Sequence, residues 1–271
     1  MPITTVDGID LYYQREGSGP PILFISGLSG GHHSWTPSVA LLKQRYECIT
    51  FDNRGIGQSS RPQTGYTMPD LTRDTLSLLD KLSISRTHMV GMSMGGLVAQ
   101  NIALQRPGLV GGLVLVASFA APCPRFMHVL NSRKFLQKKM DRYEYSWTLA
   151  PWMLGPASFG KPGFVDAFAK KAADNPHPQA LHAYDQLVDG IGQFDSREQL
   201  DQIRQPTLVM VGEYDILTAP HQAKALADGI PGSELAVLPG VGHFCHLEDP
   251  QGFTGRIDRF LKSVDSRPTP G

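Results

Sequence analysis

The 271 residues carry 25 Lys and Arg against 25 Asp and Glu, a formal net charge of +0, which argues against a bulk electrostatic partner such as nucleic acid or an anionic membrane surface. Hydrophobic residues make up 41% and charged residues 18%, ordinary proportions for a globular chain that can bury a substantial core as one large domain or two small ones. Cys48, Cys123 and Cys245 show no C-x-x-C spacing and read as reduced thiols of a cytoplasmic protein, the opening "MPITTVDGIDLYYQ" lacks a basic-then-apolar leader pattern, and no apolar run approaches the roughly 20 residues that span a bilayer.

In chain order, "ITTVDGIDLYYQ" alternates on either side of Asp7-Gly8 and predicts a β-hairpin. "PILFISG" reads as a buried strand, and "TPSVALLKQRY" as a helix with Thr36 as its cap and Pro37 at its first position. "YECITFD" is a second buried strand. In "TMPDLTRDTLSLLDKL", Leu71, Leu78, Leu79 and Leu82 share one helical face, with Thr67 and Asp70 in capping positions. "HMVGM" is another strand, and a helix from about Met94 to Gln105 follows it, ending before Pro107. "GLVLVAS" and "PTLVMVG" are apolar throughout, the pattern of a parallel sheet covered by helices on both faces. "SELAVLPGVGHFCHLEDP" supplies a last strand, a glycine loop, a histidine, and a helix capped by Asp249 with Pro250 in its first turn.

Between "GLVLVAS" and "PTLVMVG" the rhythm breaks. Residues 119–204 hold no convincing strand but contain helical spacings, breakers at Pro151, Pro156, Pro162, Pro176 and Pro178, and nine aromatics from Phe126 to Phe168. So long an insertion predicts a helical lid whose aromatics mostly pack against the core. Within it, Arg125 to Arg142 carries six cations against Asp141 alone and reads as a solvated helix face. The closing "SRPTPG" predicts a disordered tail over 265–271.

The stretch "VGMSMGGLVAQ" places Ser93 between a strand and a helix, with Gly91, Gly95 and Gly96 giving a tight corner its room. A serine hydroxyl becomes a nucleophile only beside a base. Of nine histidines, His243 lies in the loop after the last strand, beside the other strand ends; His246, three residues on, is its rival. The acid that orients the base should follow the preceding strand, where "VGEYDILTAP" offers Glu213 and Asp215, the latter clear of the strand end. The order is Ser93, Asp215, His243. No metal-ligand cluster and no G-x-G-x-x-G loop is found, so no cofactor is implied.

With "ISGLSGG", "FDNRGIGQSS", "GMSMGG", "GEYD" and "GVGHFCHLEDP" in place, the chain resembles the α/β-hydrolase superfamily over essentially its whole length, and within it the esterase, 3-oxoadipate enol-lactonase and cofactor-free perhydrolase group. The resemblance implies an α/β fold with a mostly parallel eight-stranded sheet flanked by helices, a core of residues 1–118 and 205–264, and the lid inserted after strand six. It implies a serine hydrolase acting on a small to medium carboxylic ester or lactone, with the backbone N–H groups of Leu28 and Met94 as oxyanion donors. Ser26 stands where the group usually has histidine, which puts the hydrogen bonds that hold that loop in question; Trp35, Asp52, Arg54 and Gly55 match structural supports. A C–C bond hydrolase with the same triad, or a receptor-like member with little turnover, are the alternatives, and a homo-oligomer is compatible with all three. An apolar, aromatic pocket favours a neutral ester over an acidic lactone, unless one cation of the Arg125–Arg142 stretch turns inward to hold a carboxylate.

Overall fold

The computed structural model describes residues 2–266, and the expected tail falls beyond them except for its first two positions. The hairpin forms as read: β1 (Ile3–Val6) and β2 (Ile9–Glu16) pair antiparallel across Asp7-Gly8, both at positive φ. There follow β3 (Pro21–Ile25), α1 (Thr36–Leu42), β4 (Glu47–Phe51), α2 (Met68–Lys81), β5 (Thr87–Met92), α3 (Met94–Gln105) and β6 (Val110–Val116). Five helices come next: α4 (Pro124–Leu136), α5 (Arg142–Met153), α6 (Pro156–Phe159), α7 (Phe164–Ala173) and α8 (Leu181–Gly192). The chain then returns to the sheet with β7 (Thr207–Gly212), α9 (Pro220–Gly229), β8 (Glu234–Leu238), α10 (Cys245–Glu248) and α11 (Pro250–Asp265).

The eight strands form one sheet in the order β1-β2-β4-β3-β5-β6-β7-β8, antiparallel as far as β4 and parallel from β4 to β8. Every residue of β5, β6 and β7 is buried, which is why these strands show no apolar–polar alternation. Alternate side chains feed two separate cores. Ile22 and Phe24 of β3 pack with α1 and α11, whereas Leu23 and Ile25 pack with α2 and α3 on the opposite face. At the edge, β8 leaves Leu235 and Val237 exposed.

Helix α2 starts in a capping box: Thr67 Oγ1 accepts from the Asp70 N–H at 3.3 Å, and Asp70 Oδ2 accepts from the Thr67 N–H at 3.1 Å. Thr36 departs from expectation. A 3₁₀ turn, His32–Trp35, runs straight into α1, so Trp35 occupies the cap, and Thr36 Oγ1 donates backwards to the His33 carbonyl at 3.0 Å. At the other end of the chain, helix α11 includes Asp265, where the tail was expected to begin, and Asp265 Oδ1 lies 3.0 Å from His88 Nε2. Among the described residues, no helix is long and apolar enough to cross a membrane.

Parallel pairing carries the C-terminal ends of β3, β5, β7 and β8 to one side of the sheet, so the loops that follow them meet there.

Candidate active site

Strand β5 ends at Met92 and α3 begins at Met94, so Ser93 makes the corner by itself, at φ 50° and ψ −117°. An L-residue held there stores about 1–3 kcal/mol of strain and persists only where its surroundings fix it. Here the Ser93 N–H donates to the Val116 carbonyl at 2.8 Å, and the Ser93 carbonyl accepts from Gly96 N–H at 2.9 Å and Ser118 Oγ at 3.0 Å. A Cβ on Gly91 would lie 2.5 Å from the Gly95 carbonyl oxygen, and one on Gly95 would collide with the Ile25 carbonyl. Both glycines answer to the closeness of strand and helix at this corner.

On the loop after β8, His243 Nδ1 lies 2.8 Å from Asp215 Oδ2, on the loop after β7; the two residues are 5% and 2% exposed. The carboxylate is held on both oxygens. Its Oδ1 accepts from the N–H groups of Leu217 at 2.9 Å and Thr218 at 3.0 Å, and its Oδ2 accepts from Thr218 Oγ1 at 2.7 Å. An imidazole facing a carboxylate carries its proton on the facing nitrogen, which leaves His243 Nε2 as the basic lone pair. Sequence reading missed Thr218; its signal is the D-x-x-T spacing, in which a short hydroxyl folds back on an Asx turn. Glu213 points away, and its Oε2 accepts from the Gly240 N–H at 2.9 Å.

The rival His246 lines the same cavity but has a different environment. Packed against the rings of Trp35, Phe244 and Phe253, it is 2% exposed, and neither ring nitrogen has a hydrogen-bond partner among the described residues. Burial pushes its pKa down to about 3, with His243 and Lys171 adding to the shift, so it stays neutral. A histidine depressed in the folded state, with an ordinary value of 6.5 when unfolded, gives stability that is complete above 6.5 and lost as pH falls from there towards 3. The expected slope is about 1.4 kcal/mol per pH unit below roughly pH 6. Urea unfolding across that range should show a shallower slope for His246→Phe than for the parent, with His33 and His88, which burial lowers in the same direction, and the lowered carboxylates Asp70 and Asp195 contributing to the remainder.

The loop after β3 answers the question raised by Ser26. Its Oγ accepts from Trp35 Nε1 at 2.8 Å and donates to the Gly31 carbonyl at 3.3 Å, so this serine pins the loop with its own side chain. Asp52 braces the far side, accepting from the N–H groups of His32 at 2.7 Å and Gln58 at 2.9 Å. Arg54 and Asp74 form a buried pair through two contacts of 2.5 Å, and Arg54 also donates to the Gly65 carbonyl at 2.6 Å. The backbone N–H groups of Leu28 and Met94 have no acceptor among the described residues; Met94 opens α3, where an N–H has no partner in its own helix.

Ser93, His243, His246 and Leu28 line one cavity of about 210 Å³, closed on its other side by Phe126, Leu130, Arg133, Tyr145 and Leu149 from α4 and α5, and by Phe168 of α7. The Arg125–Arg142 stretch is not a uniformly solvated face. Lys134 pairs with Asp189 and Lys138 with Asp185 on α8, at 2.6 and 3.3 Å, whereas Arg133 is buried and turned into the cavity. Most of the aromatics between β6 and β7 do pack inward, Phe126, Tyr145, Trp152, Phe164 and Phe168 among them, but Phe135, Tyr143, Trp147 and Phe159 are exposed. A buried carboxylate joins the helices to the histidine loop. Glu248 accepts from the N–H groups of Gly155 at 2.7 Å and Gly242 at 2.8 Å and from Ser158 Oγ at 2.7 Å, while the Phe244 N–H donates to the Met153 carbonyl at 3.1 Å. Among the described residues, no group of three or more His, Cys, Asp or Glu side chains is placed to hold a metal ion.

A strand–Ser–helix corner with a carboxylate-bound histidine across the strand ends is an arrangement that can be compared with known folds. The family model described as alpha/beta hydrolase fold matches residues 20–250. The chain belongs to the α/β-hydrolase fold family. Similar α/β hydrolases of known structure include the enol-lactonase from Burkholderia xenovorans LB400, 26% identical with a TM-score of 0.86 over 96% of this chain and 100% of that one. Est816, an N-acyl homoserine lactone degrading enzyme, is 29% identical with a TM-score of 0.84 over 96% of this chain and 100% of its own. A thermophilic esterase from Thermogutta terrifontis, solved with malate bound, is 25% identical with a TM-score of 0.84 over 97% of both chains. Membership of this α/β-hydrolase family, with esterase and lactonase neighbours, supports a hydrolytic function.

Proposed function

We propose that the chain is a serine hydrolase that cleaves a small carboxylic ester or lactone through an acyl-enzyme. The observation that carries this reading is the Asp215–His243 contact of 2.8 Å in the wall of the cavity that Ser93 also lines. Ser93 Oγ attacks the carbonyl carbon while His243 Nε2 takes the hydroxyl proton. The N–H groups of Leu28 and Met94 receive the charge that develops on the carbonyl oxygen. The C–O bond breaks, and the departing alkoxide, or the ring oxygen of a lactone, leaves with the proton from His243. Water then attacks the acyl-enzyme, giving its proton to His243, and the acid product departs as Ser93 recovers its hydrogen. Asp215 keeps the imidazole in the working tautomer throughout and stabilises its transient positive charge. In this reading the helices between residues 119 and 204 act as a lid that shapes the pocket above the strand ends. The similarity to an enol-lactonase, an esterase and an N-acyl homoserine lactone degrading enzyme supports an ester or lactone as the substrate.

Incubation with a fluorophosphonate, followed by peptide mass spectrometry, tests the assignment. The expected adduct lies on Ser93 alone, with loss of p-nitrophenyl acetate turnover in proportion to labelling. An adduct on another residue, or full turnover by Ser93→Ala, overturns it.

A further inference from the structure

We propose that the substrate itself carries a carboxylate and that Arg133 is the group that reads it, an inference that rests on the ester- or lactone-cleaving reading above. Arg133 lies in the second half of α4, is 7% exposed, and lines the same cavity as Ser93 and His243. Its Nε donates to the Tyr145 hydroxyl at 2.9 Å, and its guanidinium carbon sits 5.3 Å from the centre of the Tyr184 ring. Both neighbours are neutral groups; burial pushes the Tyr184 phenol well above its ordinary value, and the phenol donates to the Leu130 carbonyl at 3.3 Å. The nearby cations Lys134 and Lys138 each have an aspartate, but among the described residues no Asp or Glu pairs with Arg133.

A guanidinium does not lose its proton in a protein, and burying one without a counter-charge costs several kcal/mol. A chain that keeps such a group on the wall of its reaction cavity has an anion to receive there. With Nε engaged by Tyr145, the two terminal amino groups remain free to take the two oxygens of a carboxylate side by side. One cation in a wall that is mostly apolar, with Phe126, Leu130, Leu149 and Phe168 around it, matches a single negative charge on an apolar body, not a polyanion. The adjoining surface has the same sign. A neighbouring depression that shares His33 with the cavity carries Lys170 and Lys171 against one acid, Asp174, a local excess of positive charge. The preferred substrate is therefore an acid-bearing ester or lactone, the reverse of the neutral-ester preference expected from sequence.

The test compares monomethyl glutarate with dimethyl glutarate, the same skeleton with and without a carboxylate. The wild-type protein should favour the half-ester in kcat/KM by about 10- to 100-fold, the range of a charge-assisted hydrogen bond made or lost. Arg133→Met should bring that ratio to one or below, Arg133→Lys should recover part of it, and Lys139→Met, the same charge change on an exposed residue, should leave it unaltered. Glutarate should inhibit wild-type hydrolysis of p-nitrophenyl acetate competitively and lose that effect in Arg133→Met. Equal kcat/KM for the two esters in the wild type, or an unchanged ratio in Arg133→Met, overturns the proposal; the wild-type comparison decides alone if the variant does not fold. If neither methyl ester turns over but p-nitrophenyl acetate does, glutarate inhibition decides. If p-nitrophenyl acetate is not cleaved either, the hydrolase reading has failed, and calorimetry with glutarate then judges the carboxylate site separately.

Discussion

Replacing His243 by alanine is expected to lower kcat on p-nitrophenyl acetate by about three to six orders of magnitude, with little change in KM. Without the imidazole, the Ser93 hydroxyl loses the one histidine of its cavity that is hydrogen-bonded to a carboxylate among the described residues: His246 is held neutral by burial with no partner on its ring, and His33 has no carboxylate on its ring either. His246→Ala should reduce kcat far less. Asp215→Asn should fall close to His243→Ala, since an amide cannot stabilise the imidazolium and favours the wrong tautomer. The effects should not add: on the proposed mechanism the Ser93→Ala, His243→Ala double variant is expected to be about as slow as either single one, the behaviour of catalytic groups that act as a unit. Stopped-flow or long-time assays at matched protein concentration measure the residual rates. A mild His243→Ala with a crippled His246→Ala would move the base to the other ring.

The largest expected stability effect lies outside the cavity. Asp74→Ala removes the carboxylate from a guanidinium that is 5% exposed, leaving Arg54 with only the Gly65 carbonyl. Stranding a buried charge in this way costs about 3–5 kcal/mol, and a lowering of Tm by roughly 10 °C follows for a chain of this size. Removing both charges should cost less than removing one: an Arg54→Met, Asp74→Leu double variant takes away the stranded ion together with the pair. Thermal and urea unfolding of the three proteins measure the difference, and a single variant as stable as its parent would mean that water reaches Arg54.

The places of Ser93, Asp215 and His243 in the fold were legible in sequence because each sits at a punctuation mark. The glycines around Ser93 mark the strand-to-helix corner, and the runs ahead of Asp215 and His243 are buried strands whose ends parallel pairing brings together. What did not show was set by contacts remote in sequence. Arg133 looks like its lysine neighbours in a helix with no clean apolar stripe, and only Tyr145 on α5 and Tyr184 on α8 turn it inward. Thr36 and Pro37 look like a helix start, but the 3₁₀ turn before them had already begun the coil. Phe135, Trp147 and Phe159 count as core by composition and lie in water, since composition does not say which side of a helix faces its neighbours. Glu248 reads as an ordinary residue of "HLEDP", although two of its three donors lie 90 or more positions earlier.

That one carboxylate has a mechanical effect. By gripping Gly155 and Ser158 on one side and Gly242 on the other, Glu248 fastens the α5–α6 junction to the residue immediately before His243. The helical segment therefore cannot lift off as a free flap without dragging the imidazole away from Asp215. Any widening of the cavity would have to leave that junction in place. The placement of His243 against Asp215 is thereby tied to the helical segment through a single buried glutamate.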